Sequence, residues 1–437
     1  MMSIAVIVAV AGLLFASTYS QTQMTATKLS IPSQESDLKQ ISDMGGIQPQ
    51  MPSAFAQIPL DQVDTLASQG RHVVDVQLIA QSVDLPIMGG GTYHAMTFNG
   101  QVPGPTVRAT QGDIVRVTLT VPSTEATSHG DDFHASQMSA GNFGAVKPGG
   151  NRTFAFIAEV PGQFKYHCSG VNVAAMDQHV LSGMYGLTII DPLDGYKPFI
   201  VDKTDIQNGK VVVVHHRYEA DAKEFSFQYN QLYLNADGSY DQTAMFLHNT
   251  TQTVVNGFAF GYVPNADINK LIKGDPAKNI FVAQPWNSAD LKQYQSHPLF
   301  VDTGVHYRLF VENQGNMPVF FHIVGEIIDR VVQGNHVQAQ GTETWLVGGS
   351  QGATMDLVFD NPGVYVAVNH DYAAIFSGAA TVFVAGDPFK LGYGPGDMPN
   401  PSDAVPPAGL NTIAQKQVVH CLCTDARAAE IAKSMSG

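Results

Sequence analysis

The chain has 437 residues, 44% hydrophobic and 14% charged, a globular composition with room for two ordinary domains plus extensions. A formal net charge of -15 argues against nucleic acid as a partner, and three cysteines exclude a disulfide framework. Gly (41) and Pro (24) are frequent while long helical periodicity is scarce, so the expected fold class is all-β.

Residues 4–16 form an apolar run followed by Ser17, Thr18 and Ser20, a pattern that reads as a secretory signal. No Lys or Arg precedes it, and it is short for a membrane span. Export to a periplasmic, pseudo-periplasmic or extracellular compartment is expected, with residues 1–20 either cleaved or kept as an N-terminal anchor. No second membrane segment is expected. Residues 21–65 are rich in Gln, Ser, Met and Pro and read as an extension or linker.

Strand patterns begin near residues 73–78 and recur at 114–121, with a Gly/Pro turn at 100–105 between them. Asp191-Pro192 closes a first unit, 66–193. A second unit, 194–386, repeats it. Phe133-His134 answers to Phe321-His322, and Pro161-Gly162 to Pro362-Gly363. Leu181-Ser182-Gly183-Met184 answers to Phe376-Ser377-Gly378-Ala379. Two Greek-key β-sandwiches in tandem are the economical explanation. Residues 387–437 read as a Pro-rich linker and a tail carrying His420, Cys421 and Cys423, expected to be a terminus with incidental thiols.

The first unit carries Tyr166-His167-Cys168, then His179 and Met184, with His129 upstream. One thiolate, two imidazoles and a weak thioether are what a blue (type 1) copper needs, so the expected set is His129, Cys168, His179 and Met184. The second unit has Asn369 and Ala379 at the positions of Cys168 and Met184, and Met317 at that of His129. It has no thiolate for such a copper.

Neighbouring side chains of a strand point to opposite faces. Cys168 therefore faces its own domain while His167 reaches a second metal outside it. His134, His167 and His370 are the candidate ligands of that metal. Three imidazoles also suit zinc; the direct peptide link to a redox centre favours copper. Asp132 shares a face with His134, and His322 with Val324. An acid and an imidazole over a metal-bound oxyanion are what proton delivery requires.

These motifs resemble those of the copper-containing nitrite reductases, and within them the form found in ammonia-oxidising archaea. The resemblance rests on His129-Gly130-Asp131-Asp132-Phe133-His134, Tyr166-His167-Cys168, His179…Met184, Phe321-His322-Ile323-Val324-Gly325-Glu326 and Val368-Asn369-His370, and covers about residues 70–386. It implies two tandem cupredoxin domains, two coppers per chain, nitrite as substrate and a small redox protein as electron donor. It also implies a homotrimer, in which the type 2 copper of His134 and His167 is completed by His370 of a neighbouring subunit. Asp132 and His322 would be the catalytic pair, Val324 would shape the nitrite pocket, and Glu343 and Thr344 would support His322. Activity is expected to fall as pH rises through the coupled titration of the catalytic pair.

The chain departs from the family pattern in the ten residues between Cys168 and His179, a longer loop containing Asn172, Met176 and Asp177. Met176 is a minor rival to Met184 as axial ligand. Alternative readings are an oxidoreductase acting on hydroxylamine or O2, and a plain electron carrier. A trinuclear oxidase site needs His-x-His pairs, and the chain has none.

Overall fold

The computed structural model describes residues 58–88, 91–137, 144–169, 173–263 and 298–386. The expected signal, most of the extension, Gly170 to Asn172 and the whole of 387–437 lie outside these residues.

Strand β1 (Val73–Pro86) alternates, turning Val76, Leu78 and Ala80 inward and Asp75, Gln77 and Ile79 outward. It pairs in parallel with β4 (Ile114–Thr120) and antiparallel with β2 (Thr92–Phe98), and β6 (Asn151–Ile157) completes the sheet in the order β2-β1-β4-β6. The facing sheet is built from β3 (Val107–Thr110), β8 (Tyr185–Asp191), β7 (Gly162–His167) and β5 (Asp132–Phe133), in that order. Leu78, Val117, Phe133, Phe156 and Tyr166 fill the space between the sheets, and Cys168 and Met184 belong to the same core. Helix α1 (Leu60–Ser68) straddles the expected boundary at residue 65. It lies on this sandwich, its buried Val63 against Ile114 and Ala155.

The second sandwich repeats the plan. Its strands are β11 (Lys223–Leu232), β12 (Gln252–Val255), β13 (Leu299–Val301), β14 (His306–Asn313), β15 (Val319–Val324), β16 (Ile328–Gln333), β17 (His336–Thr342), β18 (Thr344–Val347), β19 (Gly352–Val358), β20 (Gly363–Asn369) and β21 (Ala380–Ala385). They form a six-stranded sheet, β12-β11-β14-β19-β16-β17, and a five-stranded one, β13-β21-β20-β15-β18. The parallel pair β11 with β14 repeats β1 with β4, and β13 with β21 repeats β3 with β8. Before its last strand each copy has a short helix, α2 (Val173–Leu181) in the first and α4 (Tyr372–Ser377) in the second, with α3 (Gln242–Phe246) between them in the chain.

The two copies share an apolar seam. Every residue of β8 from Tyr185 to Ile190 is buried, because Leu187 and Ile189 pack against Phe310 of β14. Burial of side chains of this size contributes roughly 1.5–3 kcal/mol each. Polar ties flank the seam. Arg108 bridges Asp191 at 2.6 Å and Glu224 at 2.8 Å. Lys165 Nζ donates to the Gln314 carbonyl at 2.6 Å, and Gln314 Nε2 to that of Gly186 at 2.9 Å. A hairpin of β9 (Phe199–Gln207) and β10 (Lys210–Tyr218) forms a separate two-stranded sheet. Among the described residues no helix is long and apolar enough to cross a membrane.

Candidate metal centres

Strand alternation delivers the first constellation. Along β7, Phe164 and Tyr166 face the core, and Cys168, one residue past the strand, continues that face at 0% exposure. His129 reaches it from the loop before β5, held by a pair of backbone hydrogen bonds with Val146. His179 arrives from α2. The Cys168 Sγ lies 3.8 Å from His129 Nδ1 and 3.5 Å from His179 Nδ1, and the two imidazole nitrogens are 3.1 Å apart. Met184 is buried in the same core, and its backbone is tied on both sides. Its carbonyl accepts from the Cys168 N–H at 3.0 Å and its N–H donates to the His179 carbonyl at 3.1 Å. Burial pushes His179 down to about 4 and His129 below its ordinary value, so both rings are neutral at pH 7.

A second constellation occupies the other face of the same strand. His134 Nε2 and His167 Nε2 point at each other 3.1 Å apart, their rings nearly perpendicular at 81°. An Asp132 oxygen lies 3.8 Å from His167 Nε2, as the register pairing of Asp132 with His167 requires. His167 Nδ1 is 2.8 Å from the Cys168 carbonyl, which can only accept, so the proton sits on Nδ1 and Nε2 presents its lone pair. Burial, reinforced by the nearby Lys165 ammonium, lowers His167 to about 3 and His134 to about 4. Burial raises the Asp132 carboxyl to about 6.

The remaining expected residues assemble elsewhere. Phe320, His322 and Val324 share the outward face of β15 while Phe321 and Ile323 point into the core. His322 Nδ1 donates to the Glu343 carbonyl at 2.7 Å, with the Thr344 hydroxyl 3.4 Å away. The His370 ring lies 4.9 Å from that of His322. Among the described residues His370 joins no cluster with His134 and His167. The chain thus presents two separate clusters, His134 with His167 and His322 with His370. Around the second, Phe320, Val324, Leu346 and Tyr372 are 39%, 48%, 52% and 62% exposed, an apolar surface surrounding two imidazoles.

Neutral imidazoles and a buried thiol fit copper well, and the all-imidazole set of His134 and His167 fits copper or zinc. The stretch read as a loop after Cys168 is helical from Val173 onward. Met176 stands half-buried on that helix and lines one cavity with His167 and Lys165, whereas Met184 shares the Cys168 core. Two neighbours went unread in the sequence. Asp131 is fully buried with neither carboxylate oxygen hydrogen-bonded, and burial holds it well above the carboxylate range. Lys165 is buried on the His167 face. Alternation along 131–134 and 163–167 was the available signal for both.

A family model for multicopper oxidases matches residues 80–195. The copper-containing nitrite reductase of Rhizobium sullae is 29% identical over 334 residues, 74% of this chain and 78% of the relative. The structure of the copper nitrite reductase from Nitrosomonas europaea superposes with a TM-score of 0.56 at 30% identity, over 72% of this chain and 94% of that one. The copper-containing nitrite reductase of Thermus scotoductus, at 21% identity and a TM-score of 0.55 over 72% of this chain and 62% of that one, shares the fold. With two tandem cupredoxin sandwiches and this similarity along nearly the whole Nitrosomonas chain, the protein belongs to the copper-containing nitrite reductase family of enzymes.

Proposed function

We propose that the chain catalyses NO2⁻ + e⁻ + 2H⁺ → NO + H2O with two coppers per chain. The observation that carries this reading is the covalent adjacency of two donor sets: Cys168 in one, His167 in the other, on opposite faces of one strand end. His129, Cys168, His179 and Met184 would hold the type 1 copper, and His134 and His167 the type 2 copper. Bound copper would supply the one-electron redox chemistry that links an electron donor to nitrite.

The chain's own groups do the rest. Asp132 sits beside the His134–His167 pair, where its carboxyl can hold a proton close to a bound nitrite oxygen. His322, its Nδ1 committed to Glu343, has Nε2 left to move a second proton. Val324, beside it on the same face, would limit the room for substrate. His370 would complete the type 2 site of a neighbouring copy. The apolar surface around it supports a homotrimer, because such a face is stabilised by cover from a second copy. A small redox protein would donate the electron, and the apolar run at 4–16 supports export.

Metal counting separates the enzyme from a plain carrier. Two coppers per chain support the reading; one, with no metal lost on substituting His134, contradicts it.

A further inference from the structure

His179 is carried by a nine-residue helix, Val173–Leu181. A helix this short is marginal without tertiary support, and the support comes from the other sandwich. Tyr240 Oη donates to Asp177 Oδ2 at 2.7 Å, and Gln242 Nε2 reaches the same oxygen at 3.3 Å. Asn230, fully buried at the end of β11, donates from Nδ2 to the Leu181 carbonyl at 2.8 Å. The Leu181 side chain packs with Tyr233, Ala244, Tyr240 and Met245. Asp177 and Leu181 stand two residues before and two after His179, so the ligand is bracketed by anchors from residues 230–245.

The turn that presents Tyr240 is itself built. Leu234 bridges Tyr240, the Asn235 N–H donates to the Ser239 carbonyl at 2.8 Å, and Asn235 Nδ2 donates to the Ser239 hydroxyl at 3.0 Å. The turn is fastened to the first sandwich where the His94 N–H donates to the Gly238 carbonyl at 3.1 Å. Gly238 has φ 83°, and a Cβ there would come within 2.3 Å of the Thr92 carbonyl oxygen, so only glycine allows this approach. Burial, and then the hydrogen bond to Asp177, push the Tyr240 phenol above its ordinary range, which keeps it the donor.

We propose that Asp177 and Tyr240 are a positioning pair: the second sandwich, which has no thiolate site of its own, fixes the helix that aims His179 and so sets the geometry of the type 1 centre in the first. This rests on the type 1 reading given above. The hydrogen bond crosses between the sandwiches, so a change at Tyr240 reaches the centre only through the tilt of the helix.

The test compares the copper-loaded full chain with Tyr240→Phe, Asp177→Ala, the double variant and a control, Thr118→Val. The control removes a hydroxyl that lies 2.9 Å from Thr153 within the first sandwich. Readouts are the ratio of the two thiolate-to-copper absorption bands, the type 1 reduction potential, the rate of copper loss to a chelator and Tm. Tyr240→Phe and Asp177→Ala are expected to shift the band ratio and potential and to speed copper loss about fivefold, the effect of one such hydrogen bond. The double variant should be no worse than Asp177→Ala alone, which already removes the contacts of both Tyr240 and Gln242. Thr118→Val should lower Tm with the spectrum unmoved. Unchanged spectrum, potential and retention in Tyr240→Phe overturn the proposal even if Tm falls; should that variant not fold, the same result in Asp177→Ala does so. A wild-type chain that binds copper without a thiolate band contradicts the type 1 reading itself, a result distinct from a normal wild-type band with unmoved variants.

Discussion

His167 and Cys168 are joined by a peptide bond and also by a hydrogen bond, from His167 Nδ1 to the Cys168 carbonyl at 2.8 Å. The bond fixes the imidazole tautomer, with Nε2 facing His134 and the thiol facing the opposite way toward His129 and His179. Two redox centres placed on these groups would be linked by a single peptide step.

Cys168→Ser tests the division of ligands. The variant is expected to lose the intense charge-transfer colour and one copper per chain, while the electron paramagnetic resonance signal of the other copper stays. A persistent intense colour would show that the thiolate lies elsewhere.

The proton-handling role proposed for Asp132 and His322 predicts a second result. Asp132→Asn and His322→Asn should each lower nitrite turnover by about 10²–10⁴, the usual contribution of a positioned acid or base, with both coppers retained. Steady-state rates paired with copper analysis check this. Full turnover at full occupancy would remove that residue from the mechanism.

The proposed completion of the type 2 site by His370 of a neighbouring copy predicts complementation. His370→Ala alone and His134→Ala alone should each lose the type 2 copper and activity. Mixed in one trimer, a wild-type His370 from one chain can meet wild-type His134 and His167 from another. Co-expressed variants should therefore regain about a quarter of the sites if subunits mix at random. Completion of each site within a single chain would give no recovery.

Glu312 gives a stability prediction away from the metals. Burial raises its carboxyl to about 7, against 4.5 for the free group. Between those values the folded chain holds a proton that the unfolded chain has released, so its contribution is full below about 4.5 and is lost as pH rises through about 7. Gln163 Nε2 donates to Glu312 Oε2 at 3.3 Å, a bond that Glu312→Gln can keep by presenting its amide oxygen. The variant should match wild type near pH 5 and be more stable near pH 8, by on the order of 2 kcal/mol. Thermal unfolding at the two pH values reads this, and parallel profiles would contradict it.

The sandwich plan and the main clusters were legible because their signals are local. Strand alternation around Cys168 and the Pro-Gly spacing shared by β7 and β20 both survive in a linear reading. The helical stretch after Cys168 was read as a loop, since nine residues with Gly170 just before them carry little periodicity of their own. Its stability comes from Tyr240, Gln242 and Asn230, 49 to 65 residues away from their partners in the chain, and sequence spacing gives no sign of such partners. Asp131 was overshadowed by Asp132. Only the inward turn of alternate residues separates a buried carboxyl from one beside the His134–His167 pair.

The most direct measurement of the central claim is nitric oxide release from the fully copper-loaded chain under anaerobic conditions, with nitrite and an artificial one-electron donor. The account predicts one nitric oxide per electron consumed, and no release from Asp132→Asn/His322→Asn above background. Protein with both coppers in place that consumes electrons without forming nitric oxide, or that forms none at all, would contradict it.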